Sequence, residues 1–190
     1  MSSHLPSRRS ALLAGATGVG ALALSARAAD EAPKVKGRIK QSVCRWCYGR
    51  IPLEKLAEAA KQMGFQSVEL LSAKDIPVVK KFGLTCAMMN TAGSIGDGIN
   101  RTANHARIEK QLRENIEFAA AEGLPNVLVM SGNRRGMTDD EGLANCAESL
   151  KRVVGFAEEK KVTICMEGLN SKVNHKDYMY DTTKWGVALC

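Results

Sequence analysis

The chain has 190 residues, 45% hydrophobic and 25% charged, a composition that fits a soluble globular domain and excludes a disordered or membrane-embedded one. Aromatics are only 5%, so a core must be built from Leu, Val, Ile, Ala and Met. The formal charge is +7, but the first 29 residues hold Arg8, Arg9 and Arg27 and no acid; the other 24 bases face 20 acids, and no basic block interleaved with aromatics argues for nucleic-acid binding.

Residues 1–29 read as an export leader. Arg8-Arg9 stands directly before the weakly apolar run Ala11 to Ala26, and Ala26-Arg27-Ala28 offers the small residues of a cleavage site. The run contains Gly15, Gly18 and Gly20 and is too short and too mild for a membrane span of ~20 residues. The expectation is recognition by the twin-arginine export machinery and a bacterial periplasmic or secreted location, with a membrane tether if the leader stays uncleaved. Residues 30–38 form a polar linker.

From Ile39 the chain alternates strand and helix. Ile39 to Cys44 reads as a first strand, and Pro52 opens a helix with Leu53, Leu56, Ala57, Ala60 and Met63 on one face before Gly64. Ser67 to Leu71 is a second strand, Asp75 to Phe82 a short helix with Asp75 as its N-cap, and Leu84 to Met89 a third strand. A loop, Asn90 to Arg101, carries Gly93, Gly96 and Gly98. The next helix shows Ile108, Leu112, Ile116 and Ala119 and ends at Gly123; Asn126 to Met130 is the fourth strand. Thr138 with Glu141 has the spacing of a capping box and opens one long helix with Leu143, Ala147, Leu150, Val154 and Ala157 inward. Val162 to Met166 is the fifth strand, and Tyr180 to Cys190 begins another helix.

Short, nearly continuous apolar strands between amphipathic helices specify a parallel α/β sheet covered by helices. Five such units fit either an open doubly wound sheet or part of a (β/α) barrel, and periodicity does not choose between them. Both architectures bind ligands beyond the C-terminal strand ends. The polar residues expected there are Arg45 and Trp46, Glu69, Asn90, Ser131 to Arg134, Glu167 with Asn170, and Asn174 with His175.

Glu167 directly follows the apolar run Val162 to Met166. A carboxylate there suits a hard divalent cation or proton transfer; a solvated strand-end acid is the equal alternative. Glu69 reads equally as an inward-facing structural acid. His105 and His175 read as helix-surface and loop residues. The stretch Gly93 to Gly98 lacks the Lys-Ser/Thr of a P-loop and reads as a flexible loop. Arg134-Arg135 meets an anionic substrate or merely solvates a loop. Cys86, Cys146 and Cys165 fall in apolar patterns as small hydrophobes, and Cys44-Arg45-Trp46-Cys47 has the CxxC spacing of zinc and redox sites but, standing alone, reads rather as structural at a strand end.

Three segments, Gly64-Phe65-Gln66-Ser67-Val68-Glu69, Val129-Met130-Ser131-Gly132-Asn133-Arg134 and Cys165-Met166-Glu167-Gly168-Leu169-Asn170, resemble the hydroxypyruvate isomerase branch of the xylose-isomerase-like sugar isomerase/epimerase barrels. Asn174 to Tyr178 and Thr183 to Gly186 extend the resemblance, which runs from Ile39 to Cys190. It implies a (β/α)8 TIM barrel with only about the first five β/α units present. It also implies a divalent metal, Mg or Mn, and an aldose–ketose isomerisation of a small hydroxy-carbonyl or sugar substrate through an enediolate. Glu167 matches the family's first metal-binding and catalytic glutamate. Substrate contacts are expected from Trp46, Asn90, Asn133, Arg134, Asn170 and His175.

The family's other ligands, an Asp, a His and a second catalytic Glu, belong to later strands, so this chain alone is expected to be inactive or weakly active unless something completes it. The competing expectations are a non-catalytic periplasmic small-ligand module, or a half-barrel that pairs with another chain, including a second copy.

Overall fold

The computed structural model describes residues 39–190; the export leader expected at 1–29 and the linker expected at 30–38 lie outside the described residues. Five strands emerge: β1 (Ser42–Cys44), β2 (Ser67–Glu69), β3 (Met89–Ala92), β4 (Asn126–Val129) and β5 (Thr163–Met166). Between them run α1 (Leu53–Gln62), α2 (Ile76–Lys80), α3 (Thr102–Glu122), α4 (Asp139–Lys151) and α5 (Val154–Lys160), and α6 (Thr183–Leu189) follows β5. A 3₁₀ turn, Arg45–Tyr48, continues directly from β1. Among the described residues no helix is long and apolar enough to cross a membrane.

Every strand pair is parallel. β1 pairs with β2, while β3, β4 and β5 form a second ladder in that order. The bridges Ser67–Thr85 and Leu71–Met89 join the two ladders. The strand order is therefore the chain order, and that settles the architecture. A doubly wound sheet reverses direction at a switch point, which places helices on both faces. Right-handed crossovers in unbroken sequence put every helix on one face and leave the other as the inside of a barrel.

Alternation along the strands separates two cores. Val43, Val68, Val127, Val129 and Ile164 join the helical layer, where Leu56, Ala57 and Ala60 of α1 and Ile108, Leu112, Ile116 and Ala119 of α3 are buried. Each large aliphatic side chain among these contributes roughly 1.5–3 kcal/mol by leaving water. Leu128, Met130 and Cys165 have the opposite parity and cluster with Leu70, Met88 and buried Tyr178 on the barrel side.

Two elements depart from the sequence pattern. The third strand was expected over Leu84 to Met89 but is β3, Met89–Ala92, so Asn90 lies inside a strand rather than in a loop. The cause is local. The Ala87 amide donates to Ser67 Oγ at 2.8 Å and the Met88 amide to the Glu69 carboxylate, so side chains of β2 take amides that a ladder would pair. The long helix expected after Thr138 divides into α4 and α5 at Arg152 and Val153. Its buried face is Gly142, Cys146, Ser149, Val153 and Ala157, while Val154, expected inside, is 45% exposed. Gly142 explains the rotation: a Cβ there would fall 2.3 Å from Met179 Cε, so small residues of α4 lie against the segment before α6.

The caps are partly as read. Thr138 Oγ1 accepts from the Glu141 amide at 3.2 Å, and Thr182 Oγ1 caps α6 through the Trp185 amide at 3.3 Å. Asp75 makes no cap bond; its carboxylate accepts from Ser72 Oγ at 2.6 Å.

Candidate active site at the strand ends

A cavity of about 300 Å³ opens on the barrel side, lined by Cys44, Glu69, Leu70, Met88, Leu128, Cys165, Met166 and Glu167. Strand register builds it. Cys44 stands opposite Glu69 across β1 and β2, and Leu128 opposite Cys165 across β4 and β5. Glu167 follows Cys165 by two residues and so returns to the same face.

The two carboxylates are held differently. Glu69 is buried, at 7% exposure, and accepts a hydrogen bond from the Met88 amide. Glu167 is exposed just beyond β5. Between Glu69 and Leu71 the chain turns through Leu70, a non-glycine residue in the left-handed region with φ 58°. That conformation costs about 1–2 kcal/mol for a residue with a Cβ. The Leu70 amide meets the Met88 carbonyl at 2.8 Å, so the strain is held in place by the same β2–β3 junction that fixes Glu69.

The electrostatics of the cavity is negative and partly desolvated. Burial pushes the Cys44 thiol up, and Cys47, Glu69 and Glu167 add to it. Burial likewise raises Tyr178, against opposing hydrogen bonds at Ser131, with Glu167 adding to the rise. Tyr178 is fully buried, its hydroxyl accepts from the Ser131 amide at 3.1 Å, and it lies 3.3 Å from Met130 Sδ.

Of the residues expected at the strand ends, Glu69 and Glu167 line this cavity. Trp46 stands on the 3₁₀ turn after β1, 72% exposed. The Asn90 side chain accepts from the neighbouring Thr91 amide at 2.8 Å. Asn133 bridges Tyr178 in antiparallel sense, and its carbonyl accepts from Asn100 Nδ2 at 2.8 Å. The Arg134 guanidinium meets Asp139, Asp181 and the Met179 carbonyl, each at 3.0 Å. Asn170 Oδ1 accepts the amides of Lys172 and Val173 at 3.0 and 3.2 Å, an Asx-type turn. His175 is half-buried in the same excursion, where its amide donates to the Asn170 carbonyl at 3.0 Å.

His105, read as a helix-surface residue, is buried, its Nε2 2.9 Å from the Ile99 carbonyl. The glycine loop is tied down: Ile99 and Asn100 donate to the carbonyls of Met130 and Ser131 at 3.0 and 2.9 Å. A Cβ on Gly98 would lie 2.2 Å from the Ser131 carbonyl carbon, so glycine is required for this approach of two backbones.

Cys44, which the sequence left out of the site, and Glu69, which it offered equally as a structural acid, shared one usable signal. Each ends a strand with the parity opposite to an adjacent valine, Val43 or Val68. Their pairing needed the strand order, which the sequence pattern does not encode.

A divalent cation takes about six oxygen ligands. Glu167 fits as one, but among the described residues no three His, Cys, Asp or Glu side chains gather to hold a metal. The described residues therefore do not make a complete metal site.

Sequential parallel β/α units in chain order, with acids at the strand ends, define part of a (β/α) barrel. The chain belongs to the xylose isomerase-like TIM barrel family, which it matches over residues 57–185. Its fold is similar to D-psicose 3-epimerase from Clostridium cellulolyticum H10 solved with D-tagatose, at TM-score 0.62 and 14% identity, covering 80% of this chain and 58% of that one. It is similar to a family 2 AP endonuclease from Brucella melitensis, at TM-score 0.67 and 16% identity, covering 80% and 63%. It is also similar to the IOLI protein solved with a zinc atom, at TM-score 0.63 and 13% identity, covering 80% and 58%. At such identities the likeness is one of fold. The chain thus spans 58 to 63% of the length of these solved proteins. No curated protein matches it in sequence.

Proposed function

We propose that the chain is part of a hydroxypyruvate isomerase-like enzyme that moves a proton between adjacent carbons of a small hydroxy-carbonyl or sugar substrate. Glu167 carries this reading: a carboxylate at the end of β5, open to solvent, on a cavity whose wall holds a second carboxylate, Glu69. Isomerisation needs a base to remove a proton next to a carbonyl and a donor to return one to the neighbouring carbon. Glu167 is placed to take or give such a proton. Glu69, fixed through the Met88 amide, is placed to orient a substrate hydroxyl, while Leu70, Met88 and Leu128 keep one side of the substrate dry. The exposed ring of Trp46 offers a surface for the apolar face of a sugar.

Mg or Mn belongs to this proposal through the family resemblance and the zinc of the IOLI protein, with Glu167 the ligand this chain contributes. Bound beside the carbonyl, such an ion would polarise it. Export through a twin-arginine leader over residues 1–29 is part of the same proposal, tested by fractionating cells that make the natural protein.

The catalytic test uses that natural protein with hydroxypyruvate in deuterated water, with Mg or Mn added. Proton NMR should show tartronate semialdehyde carrying solvent deuterium on its hydroxyl-bearing carbon. Glu167→Gln should lower turnover about 10²- to 10⁴-fold, the range of a general acid–base residue. A variant that keeps most of its activity removes Glu167 from the chemistry.

A further inference from the structure

We infer that Cys44 and Cys47 form a redox-active dithiol at the edge of the cavity, oxidised to an intramolecular disulfide by a low-molecular-weight disulfide such as oxidised glutathione. The inference is independent of the isomerase reading. Both thiols are free, Cys44 half-buried in the cavity wall and Cys47 exposed.

Their placement on the 3₁₀ turn brings them together. Cys44 is the N-cap of Arg45–Tyr48 and its side chain makes no cap bond, so the thiol is not committed to the backbone. Cys47 is the third residue of that turn, the position over which an N-cap side chain lies. A 3₁₀ rise of ~2.0 Å per residue separates the two Cα atoms by roughly 6 Å along the axis. A disulfide spans Cα separations of about 4.4–6.8 Å. Cys47 is among the groups that raise the Cys44 thiol, after burial, which agrees with this proximity.

Cys165, free and half-buried on the same cavity, is the one competing partner for Cys44 among the described residues, and the remaining cysteines stand apart. Cys86 and Cys146 are buried, and burial pushes their thiols up to about 11 and about 12. Cys190 is exposed at the far end of α6.

The exchange proceeds in two displacements. The Cys47 thiolate attacks one sulfur of glutathione disulfide, forming a mixed disulfide and releasing one glutathione thiolate. Cys44 then gives up its proton and attacks Cys47 Sγ, closing the protein disulfide and releasing the second glutathione. The protein dithiol loses two electrons and two protons, and one glutathione disulfide becomes two thiols. Closure draws the Cys44 sulfur from the wall beside Glu69 towards the exposed turn, so the cavity changes shape with redox state.

The test equilibrates the full reduced chain with mixtures of reduced and oxidised glutathione, quenches in acid, alkylates free thiols and maps the peptides by mass. A Cys44–Cys47 link that grows with the oxidised fraction, and is reversed by reduced glutathione, is the expected result. Cys44→Ser should instead accumulate glutathione on Cys47, and Cys47→Ser should leave Cys44 open to alkylation. The inference is overturned if wild-type Cys44 and Cys47 stay fully alkylated in every mixture. A glutathione adduct that persists on wild-type Cys47, or a Cys44–Cys165 link in place of Cys44–Cys47, overturns it equally.

Discussion

Arg134 stands among the candidates for gripping an anionic substrate, and its neighbours show what occupies it. Two carboxylates and a carbonyl take its guanidinium, and its own amide donates to the Asp177 carbonyl at 2.6 Å. With the side chains of Arg134 and Asp181 only 21% and 18% exposed, the pair fastens the loop after β4 to the segment before α6. Arg134→Ala should destabilise the fold by about 2 kcal/mol, as expected for lost charged hydrogen bonds, read from the denaturant midpoint. Arg134→Lys should recover little of this, because an ammonium cannot fork between Asp139 and Asp181.

The same pair gives a pH dependence. Burial pushes the Asp181 carboxyl up, but the Ser171 hydroxyl and the charge and hydrogen bond of Arg134 outweigh it and hold it below the usual carboxylate range. A group depressed in this way adds stability that is complete above its unfolded value of about 3.9 and is lost as pH falls through the folded value. Unfolding free energy should therefore drop below about pH 4. Asp181→Asn should be less stable at neutral pH and flatter across that acid range; an unchanged slope would show that the acid sensitivity lies elsewhere.

Most elements were legible because their signals are local. The α1 and α3 faces follow helical spacing, Thr138 caps α4, and short apolar runs mark β4 and β5. The failures arise where a distant residue decides. β3 starts late because Ser67 and Glu69 take amides twenty and nineteen residues away, and α4 turns its small residues inward because Met179 lies on Gly142. Glycines distinguish the two kinds of constraint. At Gly98 a Cβ meets backbone of residues 130–132, so Gly98→Ala should cost roughly 1–3 kcal/mol as overpacking that cannot relax cheaply. At Gly155 in α5 nothing lies within 4 Å, and Gly155→Ala should stabilise by about 0.5–1 kcal/mol. Lys161, which ends α5 at φ 56°, should tolerate Gly with a gain, since glycine adopts that backbone without a Cβ penalty. Thermal unfolding of the three variants would order them, and a stable Gly98→Ala would disprove the close approach of loop and strand end.

Strand order is the property that no single segment could announce, yet it decides the barrel over the open sheet and places Cys44 beside Glu69. It also grades the stability of the sheet. β4 has a parallel neighbour on each side, and Val127 and Val129 are fully buried. β1 pairs only with β2 among the described strands, and its Ser42 is exposed. Amides bonded into a doubly flanked, buried strand exchange through global opening, whereas those on a singly paired edge exchange through local opening. Hydrogen exchange of the full chain should therefore show the slowest amides in β4 and much faster ones in β1 and the Arg45–Tyr48 turn. Equal protection of β1 and β4 would require a second neighbour for β1. If dilution then exposed β1 while leaving β4 protected, that neighbour would be another copy of the chain; protection independent of concentration would place it within the same polypeptide.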